Sequence, residues 1–197
     1  MNSKQNGNTL LKTLFSYAVE MVDVVVTAII VVILLFVFVF KIPTIEGDSM
    51  NSTLFNGERV VISKLFYTPK QGDIVVISRD YDNMTKYEDH STMPIIKRVI
   101  AVAGQTVDID FERGIVYVDG AALDEPYTNT PTNLSYDVSF PVTVKENCIF
   151  VLGDNRNNSL DSRSSQIGDG GMIDTRYIMG KAILRVFPFS KFGKIYD

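Results

Sequence analysis

The hydrophobic positions of the chain form one long uninterrupted run followed by many short ones. Residues 24–40 have the sequence VVVTAIIVVILLFVFVF, with no charged side chain and a single hydroxyl, Thr27. With its N-terminal neighbours, this run approaches the roughly 20 apolar residues that a helix needs to cross a bilayer. A buried core helix would show a polar stripe, and a cleaved secretory signal would end in small residues, whereas KIP follows at 41–43. We therefore predict a retained transmembrane helix over 21–40.

The distribution of basic residues around this run predicts its orientation. Lys4 and Lys12 precede the run, and Lys41 follows it closely. Because basic residues near a span favour the cytoplasmic side, we predict a cytoplasmic N-terminus at 1–20. The region 41–197 is then an extracytoplasmic domain, held at the cell membrane by a single pass.

Beyond the apolar run, hydrophobic residues occur in short segments rich in valine and isoleucine, separated by turn residues. In 107–111 and 115–118, apolar and polar positions alternate, and the Glu-Arg-Gly linker between them predicts a hairpin. The polar stretch 80–91 predicts a loop. We expect a mostly β, antiparallel and partly closed fold, with a smaller β subdomain over about 104–142 inserted between two parts of the main sheet. The predicted strands are 59–65, 73–78, 94–102, 106–111, 115–118, 147–152 and 181–187.

Composition excludes some partners and some chemistry. The 197 residues carry a net charge of -4 and a pI near 5.0, which argues against nucleic acid as a partner. The single cysteine, Cys148, excludes an internal disulfide. It lies in an apolar segment, so we interpret it as a packed side chain rather than a nucleophile.

Lys97 is the first candidate for chemistry, because it lies within an apolar predicted strand. Side chains alternate across a strand, so Lys97 shares a face with Ile95 and Val99. Burial disfavours the charged ammonium, and a neutral lysine can act as a general base. The alternative is an ordinary strand lysine that extends to solvent or forms a salt bridge.

Ser49 is the matching candidate nucleophile, about nine residues past the apolar run. A tether of that length spans at most roughly 30 Å, which keeps Ser49 near the membrane surface. A serine hydroxyl is a poor nucleophile until a base removes its proton. The only histidine in the sequence, His90, is the alternative base, and its other interpretation is a solvated loop residue. Ser49 and Lys97 together indicate a serine–lysine protease at a membrane surface.

A third polar segment, GDNRNNSLDSR at 153–163, directly follows the predicted strand 147–152. Its glycine, asparagines and aspartates predict a tight turn, and its alternating acids and arginines suit a hydrogen-bonded charge network. The acids do not occupy the positions of a calcium loop, and no terminal glutamate follows. We therefore expect no metal here.

Five segments, in order behind one anchor, resemble the motifs of bacterial type I signal peptidases. These are membrane serine proteases that remove signal peptides from exported proteins. The order of the segments carries the resemblance, which extends from the anchor to the C-terminus. The segments are GDSMNSTL at 47–54, GDIV at 72–75, IKRVI at 96–100, GDNR at 153–156 with Ser159, Asp161 and Arg163, and GKA at 180–182, and EPY at 125–127 is also similar.

The resemblance implies a role for each matching residue. Ser49 would be the nucleophile, and Lys97 the general base that later acts as the acid. Ser159 would hydrogen-bond the lysine amine and orient it. The backbone N–H of Ser49 would help to bind the oxyanion, and Gly47 stands where some members carry a helping hydroxyl. Met50 and Gly47 are expected at the substrate-binding site. Met50 and the apolar residues near 42–45 are candidates for pocket walls or membrane contact, and the alternative for them is plain core packing. The residues expected to support the catalytic turn are Arg98, Asp154, Arg156, Asp161 and Arg163.

The implied activity is the removal of N-terminal signal peptides from exported preproteins through a serine–lysine acyl-enzyme. Signal peptides and membrane lipid are the expected partners, and no cofactor is expected. Two positions depart from the family: Ser52 replaces a usual proline, and AGQ at 103–105 replaces a usual Pro-Gly-Asp. They remove no catalytic group, but they leave open a non-cleaving or specialised assembly role, for instance in surface-pilus assembly. Self-cleaving repressors share the dyad but carry a DNA-binding domain where this chain has an apolar anchor.

Overall fold

The computed structural model describes residues 2–78 and 94–195. It divides into two compact units, Met1–Phe40 and Lys41–Asp197, and each is described by itself. The predicted loop 80–91, with His90, lies outside the described residues.

The N-terminal unit is one helix, α1, which spans Asn2–Val39. Its stretch Thr13–Leu34 is 22 residues long, with a mean hydropathy of 2.4 and exposed side chains throughout. A helix satisfies its backbone polar groups internally, as a lipid environment requires. By length and composition α1 could therefore cross a membrane, as the apolar run predicts. The division into a 1–20 segment and a 21–40 span stays a prediction.

The second unit contains an eight-stranded antiparallel sheet with the order β1-β2-β11-β3-β4-β9-β10, and β12 pairs with β11. Its central strands are short and rich in Val and Ile, which pack well on a pleated surface. Among the described residues this path has two ends, so the sheet does not close into a barrel. The strands are β1 (Phe40–Lys41), β2 (Arg59–Ser63), β3 (Ile74–Ile77), β4 (Ile95–Val102), β9 (Cys148–Leu152), β10 (Ile173–Asp174), β11 (Ile178–Phe187) and β12 (Gly193–Lys194).

A smaller four-stranded sheet lies between β4 and β9 in the sequence, with the order β7-β6-β5-β8. The predicted hairpin is confirmed, because β5 and β6 pair from Val107 with Val118 to Asp110 with Ile115. The mostly β fold with an inserted smaller sheet is therefore as predicted. The strands are β5 (Thr106–Asp110), β6 (Ile115–Val118), β7 (Ala121–Ala122) and β8 (Val142–Thr143).

Strand β4 is an interior strand of the main sheet, since β3 flanks it on one side and β9 on the other. Lys97 on β4 faces Val75 across the β3 ladder, and Arg98 faces Leu152 across the β9 ladder. Both Lys97 and Arg98 are consequently buried although they are basic. The fold thus places two adjacent basic residues within the buried part of one strand, which marks this strand as a candidate for chemistry.

Candidate active site

Ser49 lies in a tight turn that is fixed to the core on its C-terminal side. Within the turn, the Asn51 amide donates to the Asp48 carbonyl at 3.1 Å, and the Leu54 amide donates to the Met50 carbonyl at 2.9 Å. Met50 and Leu54 are 1% and 0% exposed and pack in one hydrophobic cluster. Ser49 itself is only half-buried. Burial of its neighbours therefore holds the half-buried serine at the surface of the core.

The structure brings Ser49 and Lys97 together. The Lys97 Nζ donates a hydrogen bond to the Ser49 Oγ at 2.6 Å. Lys97 is 4% exposed, which places its amine in a largely desolvated environment. A nucleophile within hydrogen-bond reach of a candidate base is the arrangement that covalent catalysis needs.

Gly153 forms the contact between the Ser49 turn and the polar segment 153–163. A Cβ built on Gly153 would lie 2.3 Å from the Ser159 Oγ and 2.5 Å from the Ser49 carbonyl oxygen. Two residues later, the Asn155 amide donates to the same Ser49 carbonyl at 3.0 Å. Glycine is needed here because the backbones of the two segments approach too closely for any side chain.

Two of the predicted supporting residues hold Gly153 by its backbone. Its N–H donates to the Asp161 Oδ2 at 3.0 Å, and its carbonyl accepts from the Arg156 Nε at 3.1 Å. Asp161 also forms a buried, two-point ion pair with Arg163, at 2.8 and 2.9 Å. The alternating charges in this segment therefore form an internal network, as the sequence predicts.

Arg98 and Asp154 connect this segment to β4 and to the nucleophile turn. Arg98 donates two hydrogen bonds to the Asp154 carboxylate, at 2.8 and 2.7 Å, and a third to the Gly72 carbonyl at 2.9 Å. The Thr53 hydroxyl, four residues after Ser49, donates to the same carboxylate. Both charged side chains are buried, so this pair has the two-point geometry that a desolvated ion pair requires.

Ser159 differs from its expected arrangement. The side chain is 4% exposed, but its Oγ makes no hydrogen bond to the described part of the chain. The expected bond to the Lys97 amine is therefore not formed in this structure. The physical reason is that the hydroxyl lies against Gly153, as the close Cβ approach shows. The backbone carbonyl of Ser159, by contrast, accepts from the Tyr136 hydroxyl at 3.1 Å.

The tripeptide Glu125-Pro126-Tyr127 contributes two contacts to the site that the sequence did not predict. Glu125 forms an ion pair with Arg156, which also donates to the Thr132 hydroxyl at 2.7 Å. The Tyr127 ring stacks on the Arg98 guanidinium, with 3.7 Å between the ring centroid and Cζ. Burial raises the pKa of Tyr127, and the neighbouring Glu125 raises it further, so the phenol stays neutral.

A cavity of about 340 Å³, lined mainly by apolar side chains, lies beside the chain that precedes Ser49. Ile45 in its wall precedes Ser49 by four residues, and Ile96 directly precedes Lys97. The predicted substrate-binding residues are placed differently: Met50 is buried in the core, and Gly47 has φ +80 and donates from its amide to the Asn56 Oδ1 at 3.2 Å. The cavity is lined by Pro43, Thr44, Ile45, Glu46, Val76, Pro94 and Ile96.

Other candidate chemistry is not assembled in the described residues. Within 2–78 and 94–195, no three His, Cys, Asp or Glu side chains are grouped so that they could hold a metal ion. Burial raises the pKa of the Cys148 thiol, which disfavours the thiolate that a nucleophilic cysteine needs.

Comparison with known proteins shows which family this chain resembles. The family model described as "Signal peptidase, peptidase S26" matches residues 18–187. A "Probable signal peptidase I-1" of Synechocystis sp. is 35% identical over 191 residues, which cover 95% of this chain and 92% of that protein. A "Signal peptidase I" of Bacillus licheniformis is 32% identical, over 89% of this chain and 91% of that one. A crystal structure of a signal peptidase I from Enterococcus faecalis V583 is 24% identical and has a TM-score of 0.43, and the match covers 58% of this chain and 97% of that chain.

Proposed function

The chain belongs to the signal peptidase family, peptidase S26, and is a serine peptidase; from its site we propose that it removes N-terminal signal peptides from exported preproteins through a Ser49–Lys97 dyad. The observation that carries the dyad is the 2.6 Å contact between the Lys97 Nζ and the Ser49 Oγ. The proposal extends to the mechanism, the substrate site and the membrane topology.

In the first half of the reaction, the neutral amine of Lys97 takes the proton of the Ser49 hydroxyl as the Oγ attacks the scissile carbonyl. The resulting ammonium then gives its proton to the leaving amine, the peptide C–N bond breaks, and an ester remains on Ser49. Burial of Lys97 supports this sequence, because desolvation favours the uncharged amine before each turnover.

In the second half, Lys97 takes a proton from water as the water oxygen attacks the ester carbonyl. The Lys97 ammonium then returns that proton to the Ser49 Oγ as the ester C–O bond breaks, which releases the acid product and restores both the serine and the neutral amine. The Ser49 backbone N–H is the proposed oxyanion donor. Gly47 has no hydroxyl to contribute, so backbone or water must supply any further donor. We keep Ser159 as the group that orients the amine. Its buried hydroxyl lacks a hydrogen-bond partner in the described residues, which costs about 1–3 kcal/mol, and it can accept a hydrogen bond from the Lys97 ammonium that forms during the reaction.

The apolar cavity beside the dyad supports the substrate class. Isoleucine and valine side chains in its wall favour small apolar groups over charged ones. A signal peptide would bind as an added strand along the chain that precedes Ser49, with small side chains directed into the cavity. Met50 supports the cavity wall from the core, because it packs with the lining residue Ile45 in the same cluster.

Membrane attachment through α1 completes the proposal. The helix has the length and composition of a single span, and the basic residues around it favour a cytoplasmic N-terminus at 1–20. The catalytic unit 41–197 then lies on the extracytoplasmic side, where exported preproteins emerge. The assembled Ser49–Lys97 contact argues against the non-cleaving assembly role, which needs neither residue.

Cleavage of a defined substrate tests this function. Purified full-length protein in detergent is incubated with a signal-peptide substrate that has alanine at the first and third positions before the scissile bond. We expect one cut, directly after the alanine that borders the scissile bond. We expect no cut with Ser49→Ala. Absence of cleavage by the wild type at every pH, or equal cleavage by Ser49→Ala, would overturn the proposal.

A further inference from the structure

The Arg98 guanidinium is held on its edges by one part of the molecule and on its face by another. Its edges donate to the Asp154 carboxylate and to the Gly72 carbonyl. Its face is covered by the Tyr127 ring at 3.7 Å. Tyr127 belongs to the chain between β7 and β8 of the smaller sheet. The Tyr127 ring thus links the inserted part of the fold directly to a buried arginine of the main sheet.

A displacement of the Tyr127 ring would reach Ser49 and Lys97 through Arg98. Arg98 directly follows Lys97 on β4, and it binds Asp154, which directly follows Gly153. The Asp154 carboxylate also accepts from Thr53, in the turn that presents Ser49. A rotation of the guanidinium therefore moves the carboxylate that joins the turn to the strand.

Tyr127 is itself fixed by a second contact to the same network. Its hydroxyl donates to the Glu125 Oε1 at 3.1 Å, and Glu125 pairs with Arg156. Arg156 in turn donates to the Gly153 carbonyl at 3.1 Å. Tyr127 therefore contacts the network twice, through its hydroxyl at Glu125 and through its ring at Arg98.

We propose that Tyr127 is a positioning residue for the peptidase reaction: its ring holds the Arg98 guanidinium in the orientation that keeps Ser49 and Lys97 at reacting distance. This inference rests on the proposed serine–lysine function. The ring carries the effect, because a guanidinium stacks on an aromatic face independently of the hydroxyl. Tyr127 is not among the residues that line the substrate cavity, so its loss should lower kcat and leave KM unchanged.

Tyr127→Leu removes the ring, and Tyr127→Phe is the matched control that keeps the ring without the hydroxyl. In the signal-peptide assay with full-length protein, we expect Tyr127→Leu to lower kcat by about tenfold or more with KM within about twofold, since small misplacements of reacting groups cost large factors in rate. We expect Tyr127→Phe to keep kcat within about twofold of the wild type. Wild-type kcat in Tyr127→Leu, or an equal loss in Tyr127→Phe, would overturn the inference.

Stability is measured on the same samples by thermal unfolding. Tyr127→Met, which is also ringless, replaces Tyr127→Leu if the latter does not fold, and failure of both to fold would show a role in stability and overturn the inference. Wild type and Ser49→Ala are run alongside. No Ser49-dependent cleavage by the wild type means that the proposed function itself fails. Normal wild-type cleavage with an unaffected Tyr127→Leu overturns only the role of Tyr127.

Discussion

Replacing Gly153 by alanine should disable the site while the domain stays folded. The added Cβ would lie 2.3 Å from the Ser159 Oγ and 2.5 Å from the Ser49 carbonyl oxygen. Since non-bonded heavy atoms rest at about 3.5 Å, the segments must separate by about 1 Å. Misplacement of that size costs up to about a hundredfold in rate, and such overpacking costs about 1–3 kcal/mol of unfolding free energy. Gly153 does not have a left-handed φ, so alanine adds no backbone strain.

The assay for Gly153→Ala compares kcat/KM for signal-peptide cleavage with the melting temperature. Gly120→Ala is the matched control: Gly120 has φ +79 and nothing within 4 Å of its Cβ position, so alanine there costs backbone strain of about 1 kcal/mol without touching the site. We expect both variants to melt earlier and only Gly153→Ala to lose activity at temperatures where it is folded. Wild-type kcat/KM in folded Gly153→Ala would refute the account of this contact.

Three further substitutions and one reaction test the surrounding structure. Asp161→Asn leaves a buried Arg163 without its carboxylate and should lower the free energy of unfolding in urea by about 3–5 kcal/mol. Its control is Asp169→Asn, at an ion pair whose side chains are 58% and 77% exposed, which should lower it by about 0–1 kcal/mol. Equal losses in the two variants would contradict the burial argument. Glu125→Gln removes the carboxylate paired with Arg156 and should lower the melting temperature, with no change as the contrary result. Burial raises the pKa of the Cys148 thiol, so less thiolate is present at about pH 8. Iodoacetamide should therefore alkylate Cys148 more slowly in the folded protein than in urea, and equal rates would contradict this.

Much of the fold was predictable because its signals are local. The apolar run predicts α1, and the alternation around Glu112-Arg113-Gly114 predicts the β5–β6 hairpin. Strand ends were less accurate. The predicted strand 59–65 ends at Ser63 in the structure, because Phe66 has φ +50 and the chain turns. Strand β11 begins at Ile178 rather than 181, since Gly180 packs directly on the Ser63 backbone instead of ending the strand.

The pairing of Ser49 with Lys97 could be proposed from the sequence for a different reason: an amine on an apolar strand and a serine behind an anchor are each unusual by themselves. Their 2.6 Å contact is consistent with the resemblance that paired them. The partners of the arginines were not predictable. Glu125 and Tyr127 are separated from Arg156 and Arg98 by about thirty residues, and only the tertiary placement of the inserted sheet brings them together. The unpaired hydroxyl of Ser159 likewise depends on the close approach of two backbones, which no sequence pattern records.

The covalent intermediate gives the most direct test of the serine–lysine claim. Full-length wild type and Lys97→Met are mixed rapidly with a signal-peptide ester, quenched in acid, and analysed by mass spectrometry across a range of pH. The account predicts an acyl group on Ser49 in the wild type, formed faster as pH rises and Lys97 loses its proton, and no such adduct in Lys97→Met. An adduct on another residue, or acylation of Ser49 in Lys97→Met at the wild-type rate, would contradict it.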